Sequence, residues 1–160
     1  MALQEKQKNK FRLWIRVTMV FIAVVLLFFA VVVPIFNNAV ALGVEKDLKK
    51  IPLPENTELV ESVSKAGKLV GNGNGMQYFG AVLIKSELSL EELDLYYANY
   101  RQGLFDCLIQ PQTEPEISVA DGSLAFQHKD YDDGTYYVVY TWGSAPSWLR
   151  DVLDTDLRGH

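Results

Sequence analysis

The sequence predicts an α+β domain that follows a single N-terminal transmembrane helix. Residues 17–36 form an apolar run without a charged side chain, and the later β-forming runs are grouped in pairs around turn residues. One amphipathic helical stripe begins after Ser89. Strands grouped into hairpins favour an antiparallel sheet with helices on one face. We therefore expect about five strands, one main helix packed on the sheet and a short C-terminal helix.

The apolar run at residues 17–36 has the length of a membrane-spanning helix. Twenty residues at 1.5 Å each rise about 30 Å, which is the hydrocarbon thickness of a bilayer. Residues 1–16 carry five basic side chains and one acidic side chain, whereas residues 37–50 are nearly balanced in charge. The excess of positive charge predicts that residues 1–16 are a cytoplasmic tail and that the chain after the span lies outside the cell membrane. The lipid bilayer is the expected partner of residues 17–36.

A cleaved secretory signal is the alternative interpretation of this region. The triplet Ala39-Val40-Ala41 has the small-x-small form of a cleavage site, and cleavage after Ala41 would release a secreted domain. An apolar run of twenty residues is longer than the usual signal core of about 7–15 residues, which favours an uncleaved anchor.

Residues 37–54 are expected to form a stalk that ends at the alternating prolines Pro52 and Pro54, because proline blocks helix. Residues 55–160 would then be the extracytoplasmic domain. From residue 42 onward the chain has ten basic and nineteen acidic side chains, so a nucleic-acid partner is not expected. The chain has one cysteine and therefore no internal disulfide, so a hydrophobic core must hold the domain together.

The strands and helices of the domain follow from local patterns. Residues 57–70 and 76–86 predict a hairpin around the Asn-Gly repeat at 71–75. A capping box from Ser89 to Glu92 begins a helix that should end near Gly103. Further strands are predicted at 106–111, 124–129 and 135–143, the last two as a second hairpin through 130–134. The last helix opens at Pro146, and its predicted apolar side consists of Trp148, Leu149, Val152, Leu153 and Leu157.

No catalytic, cofactor or metal site is predicted. Cys107 and His128 are the residue types of a nucleophile–base pair, but they lie on separate predicted strands, and a single cysteine is most often buried. Asp130, Asp132 and Asp133 do not fit the EF-hand spacing, and the Asp-Gly pair that follows is typical of a turn. Whether these three carboxylates bind a cation is left open.

Partner contacts are predicted at the hairpin tip and at aromatic side chains on alternating strands. The candidates are Asn72, Asn74, Tyr131 and Tyr137. Glycine-rich tips present backbone groups, and surface aromatics suit protein or glycan contacts.

Residues 51–101 read IPLPENTELVESVSKAGKLVGNGNGMQYFGAVLIKSELSLEELDLYYANYR. Together with the basic tail and the single span, this stretch resembles small uncharacterised single-pass envelope proteins of Gram-positive bacteria. The resemblance implies an anchored α+β domain and no particular activity. We therefore expect a non-enzymatic, membrane-anchored module that binds or scaffolds a protein partner in the envelope. The alternatives are a sensor or binder of a small ligand or cell-wall glycan, and an envelope enzyme.

Overall fold

The computed structural model describes residues 2–71, 75–101, 106–120, 124–131 and 135–160. The fold class is α+β, as predicted: a long N-terminal apolar helix precedes a four-stranded antiparallel sheet and further short helices.

The N-terminal helix continues without a break from the apolar run into the folded domain. Helix α1 (Ala2–Leu27) leads into a π-helical turn (Phe28–Val32) and then into helix α2 (Val33–Leu48). The π turn lies immediately before Pro34, in the first turn of α2. Proline lacks an N–H and its ring crowds the carbonyl one turn back, so the wider turn lets the helix pass this residue. At 1.5 Å per residue the whole helix is about 70 Å long.

The sheet contains β1 (Thr57–Gly67), β2 (Gln77–Ser86), β3 (Leu108–Pro111) and β4 (Tyr136–Gly143). Its order is β1-β2-β4-β3, and every neighbouring pair is antiparallel. The first predicted hairpin is confirmed, because β1 and β2 pair from Thr57 opposite Ser86 to Gly67 opposite Gln77.

The prediction of a strand at residues 124–129 is wrong, so the described part of the chain has four strands and not five. This segment makes only an isolated bridge. Its alternating apolar residues are buried, but backbone N–H groups near its end donate to a side chain and not to a neighbouring strand. The Glu61 carboxylate accepts from the backbone N–H of Gln127 at 2.9 Å and of His128 at 3.0 Å.

The sheet has a core on each face. On one face lie α2 and α3 (Leu90–Ala98), with core residues that include Val82, Leu93 and Val139. The capping box at the start of α3 is confirmed. The other face is covered by the irregular segment after β3, with core residues that include Phe79, Leu83, Ile117, Phe126 and Val138.

Two glycines allow α2 to lie directly on the sheet. A Cβ atom at Gly80 on β2 would stand 2.7 Å from the backbone nitrogen of Glu45, and one at Gly143 on β4 would overlap a methyl group of Val44. Real Cβ atoms do not approach backbone so closely, so only glycine permits this contact. The segment predicted as a stalk, residues 37–54, thus contains a helix packed within the domain.

Both later helices are shorter than predicted. Helix α3 ends at Ala98, where the Asn99 amide donates to the carbonyls of Leu95 and Tyr96 and competes with the next turn. The predicted last helix is reduced to α4 (Arg150–Leu153) and a 3-10 turn (Leu157–Gly159). Asp156 interrupts it with an extended backbone.

Candidate functional site

Polar side chains meet inside the domain where the N-terminal helix enters it. Asn37 is fully buried on α2. Its Nδ2 donates to the Leu153 carbonyl at 3.0 Å and to Asp156 Oδ2 at 2.9 Å, and its Oδ1 accepts from the Tyr78 hydroxyl at 2.7 Å. A buried amide is tolerated when its hydrogen bonds are made in this way.

Arg158 closes the same cluster from the C-terminal side. Its guanidinium pairs with Asp156 through Nη2 at 2.6 Å and Nε at 3.0 Å. It also donates to the Asn38 side chain at 2.8 Å and to the Pro34 carbonyl at 3.1 Å. We call Asn37, Tyr78, Asp156 and Arg158 the exit cluster, because they surround the point where the apolar helix leaves the domain.

The charges of the exit cluster are held in fixed states. The hydrogen bond from Arg158 lowers the pKa of Asp156 to about 2, so this carboxylate is ionised at neutral pH. Burial raises the pKa of Tyr78 to about 12, so the phenol keeps its proton. The pairing uses both Asp156 oxygens and two guanidinium nitrogens of Arg158, Nε and Nη2, while Nη1 donates to Asn38. The exit cluster therefore holds together α2, β2 and the C-terminal segment (residues 144–160).

A second buried carboxylate lies between α2 and the sheet. Glu45 accepts from the Ser62 hydroxyl at 2.7 Å and lies 3.6 Å from Lys49 Nζ. Burial alone would raise its pKa, but hydrogen bonds from Ser64 and Ser62 and the Lys49 charge hold the pKa below its usual value. Glu45 therefore remains charged and ties α2 to β1.

A groove with an apolar floor lies on the side of the domain between α3 and β3. Its volume is about 460 Å³, and its lining consists of Leu90, Glu91, Asp94, Leu95, Ala98 and Ile109. Leu95 is 73% exposed, although it lies in the middle of a helix. Glu91 and Asp94 place two carboxylates at this site, which we call the lateral groove.

Of the four predicted partner contacts, the two that the structure describes lie on opposite faces of the sheet. Asn72 and Asn74 lie outside the described residues. Tyr131 is buried beside Tyr136 in the core on one face of the sheet. Tyr137 is half-buried on the other face, where its hydroxyl donates to the Leu88 carbonyl at 3.2 Å.

Cys107 and His128 are not brought together either. Cys107 is fully buried in the core beneath α3, and burial raises the pKa of its thiol to about 12. His128 stacks near Tyr131 and Tyr136 on the opposite face of the sheet. Neither residue lies in a strand, in contrast to the prediction. Asp130 is exposed, and Asp132 and Asp133 lie outside the described residues.

Sequence reasoning missed the exit cluster. The signal that could have found part of it is the pair Asn37-Asn38 directly after an apolar run, because two amides there need partners if the helix continues into a core. Asp156 and Arg158 gave no local signal, since their partners on α2 are more than a hundred residues away in sequence.

One helix of the described part, Gln7–Leu48, is long and apolar enough to cross a membrane. It is a candidate single-pass anchor, and a signal sequence near the N-terminus has the same character. Compared with protein-family models, with curated proteins and with solved structures, the chain matches none.

Proposed function

We propose that this chain is a single-pass membrane protein whose domain is held on the outer face of the membrane and binds a protein partner through the lateral groove. One observation carries the proposal: the helix that contains the apolar run is also a core element of the domain. Val33, Asn37 and Ala41 are buried between α2 and the rest of the fold. A domain joined in this way has a fixed orientation on its anchor, which suits presentation of a side surface to a neighbouring protein.

The same observation favours an anchor over a cleaved signal. Cleavage after Ala41 would remove Val33, Asn37 and Ala41 from the fold and leave Asp156 and the Tyr78 hydroxyl without their Asn37 bonds. Loss of one partner of a buried hydrogen bond costs about 1–3 kcal/mol. The mass of the mature chain, purified from the membrane fraction, tests this point. An intact N-terminus is expected, and a soluble product that begins at Leu42 would contradict the proposed anchor.

The orientation follows from the charge asymmetry around the apolar run. A reporter enzyme that is active only after export, fused after residue 160, should be active in cells. A fusion of the same enzyme before residue 1 is the matched control and should be inactive. The reverse result would place the domain in the cytoplasm.

The lateral groove is the proposed partner surface because it combines an exposed apolar floor with charge. Apolar patches with a polar rim are typical of protein contacts. An exposed leucine in the middle of a helix, such as Leu95, does not contribute to the hydrophobic core of the domain. The Asp94 carboxylate is already paired with Arg101, so the Glu91 carboxylate is the charge that favours a partner with a basic side chain beside an apolar contact. The role is proposed as non-enzymatic, and the placement of Cys107 and His128 on opposite faces of the sheet supports this.

Site-specific photo-crosslinking in cells tests the groove. A photoreactive amino acid at Leu95 should give a discrete higher-mass adduct, whereas the same amino acid at Leu59, an exposed leucine on β1, should give none. Glu91→Lys should weaken the adduct, and the matched Glu87→Lys at another exposed site should not. Equal adducts at both leucines, or none at Leu95, would refute the lateral groove as a partner surface.

A further inference from the structure

Two large apolar side chains of the C-terminal segment are almost fully exposed. Leu157 is 86% exposed and Trp148 81%, more than any other large hydrophobic side chain among the described residues. Both were predicted on the apolar side of a helix, but α4 is too short to bury them. Such exposure of two large apolar side chains in one short segment suits a contact with a protein or with lipid.

The C-terminal segment lies against the outer end of the apolar helix. Leu153 packs in one core cluster with Val33, and its carbonyl accepts from Asn37. Arg158, the neighbour of Leu157, reaches the Pro34 carbonyl at 3.1 Å. Val33 and Pro34 both belong to the apolar run at residues 17–36.

With residues 17–36 placed in a bilayer, these contacts fix the depth at which the C-terminal segment lies. Val33 lies three residues before Phe36, so it is about 4.5 Å inside the end of the run along the helix axis. The headgroup layer beyond the hydrocarbon is about 5–7 Å thick on each side. A segment packed on residues 33–38 therefore reaches the boundary between hydrocarbon and headgroups.

The charges of the segment agree with this depth. The Asp156 carboxylate is buried and paired with Arg158, so it presents no free charge to lipid. Arg150 and Asp151 are exposed, as the polar headgroup layer permits. Tryptophan is enriched at this boundary, because its ring is apolar and its N–H is polar.

We infer that the C-terminal segment is a second membrane contact, in which Trp148 and Leu157 enter the outer interface of the phospholipid bilayer beside the anchor helix. The inference rests on the proposed placement of residues 17–36 in the membrane. Together the helix and this contact fix the tilt of the domain, since the domain then touches lipid at two places.

Quenching of single tryptophans by brominated lipid tests the inference. Three full-length variants keep only Trp14, Trp142 or Trp148, with phenylalanine at the other two positions, and are reconstituted in phosphatidylethanolamine–phosphatidylglycerol vesicles. Lipids brominated near the headgroup end of the acyl chain should remove most of the emission of Trp14 and Trp148. Trp142 should keep its emission, because its ring packs against Phe79 in the core.

The three positions separate the inference from the proposal on which it rests. If Trp14 is quenched and Trp148 remains as bright as Trp142, the second membrane contact is refuted and the anchor stands. If none of the three is quenched, the placement of residues 17–36 in the bilayer fails as well. In the variant that keeps only Trp148, Leu157→Asp should reduce the quenching of Trp148, whereas Leu95→Asp should not. Equal quenching in the two variants would show that Leu157 is not part of the membrane contact.

Discussion

Replacement of Gly80 by alanine should push α2 away from the sheet. The new Cβ atom would stand 2.7 Å from the Glu45 nitrogen and 2.9 Å from its Cα, whereas ordinary contacts begin at 3.4 Å. Backbone atoms cannot rotate away, so α2 must move by about 0.7 Å, the difference between these distances. Overpacking of this kind costs about 1–3 kcal/mol. For a chain of this size we expect the melting temperature to fall by about 2–12 °C.

The control for this change is another glycine of the same contact region. A Cβ atom at Gly43 meets nothing within 4 Å, and Gly43 lies inside α2. Gly43→Ala should therefore stabilise the chain by about 0.5–1 kcal/mol, because alanine favours helix. The two alanine substitutions are expected to shift stability in opposite directions.

Gly143 provides a second test of the same contact. A Cβ atom there would collide with the side chain of Val44 on α2 and not with the backbone of that helix. Gly143→Ala should be destabilising alone and largely tolerated together with Val44→Ala, so the two effects should not add.

Thermal unfolding of the purified full chain in detergent, followed by near-ultraviolet circular dichroism, measures these differences. If residues 37–54 were a free stalk, no helix would cover Gly80, and Gly80→Ala would be neutral or stabilising. That result would refute the packing of α2 on the sheet.

Three further outcomes are expected from single sites. Because the pKa of Asp156 is lowered to about 2, its ion pair with Arg158 contributes stability above about pH 4, and this stability is lost as the pH falls towards 2. Asp156→Asn should reduce this part of a curve of unfolding free energy against pH. An unchanged curve would contradict the pairing. Cys107, buried with a raised pKa, should resist iodoacetamide in the native chain and react fully in denaturant, as mass spectrometry would show; rapid native labelling would contradict its burial. Ser89→Ala removes the capping bond to the Glu92 N–H and should lower the free energy of unfolding by about 0.5–2 kcal/mol in chemical denaturation, whereas Ser89→Asp should restore most of it.

Local signals predicted the elements whose hydrogen bonds are local. The Asn-Gly repeat between two β-forming runs predicted the β1–β2 hairpin, and the spacing of Ser89 and Glu92 predicted the start of α3. The same kind of reasoning failed at residues 124–129. Alternating apolar residues indicate burial. They do not indicate whether the backbone N–H groups donate to a neighbouring strand or to a distant carboxylate such as that of Glu61.

The candidate contact sites were harder to predict, because exposure depends on what covers a residue. Tyr131 is predicted as a surface contact and Trp148 on the apolar side of a helix, yet Tyr131 is buried and Trp148 is exposed. The difference arises from the irregular segment that covers one sheet face and from the short α4, and in both places tertiary packing and not the local apolar pattern sets the exposure.

The sequence by itself determined the α+β class, the apolar run and the order of most elements, because side-chain periodicity, turn residues and caps act over a few positions. Only the tertiary structure decided that the apolar helix continues into the core. That contact depends on two glycines on strands β2 and β4, and on a hydrogen bond from Asn37 to Asp156 across 119 positions. Such partners are brought together by chain packing alone, so no local pattern around Asn37 could identify them.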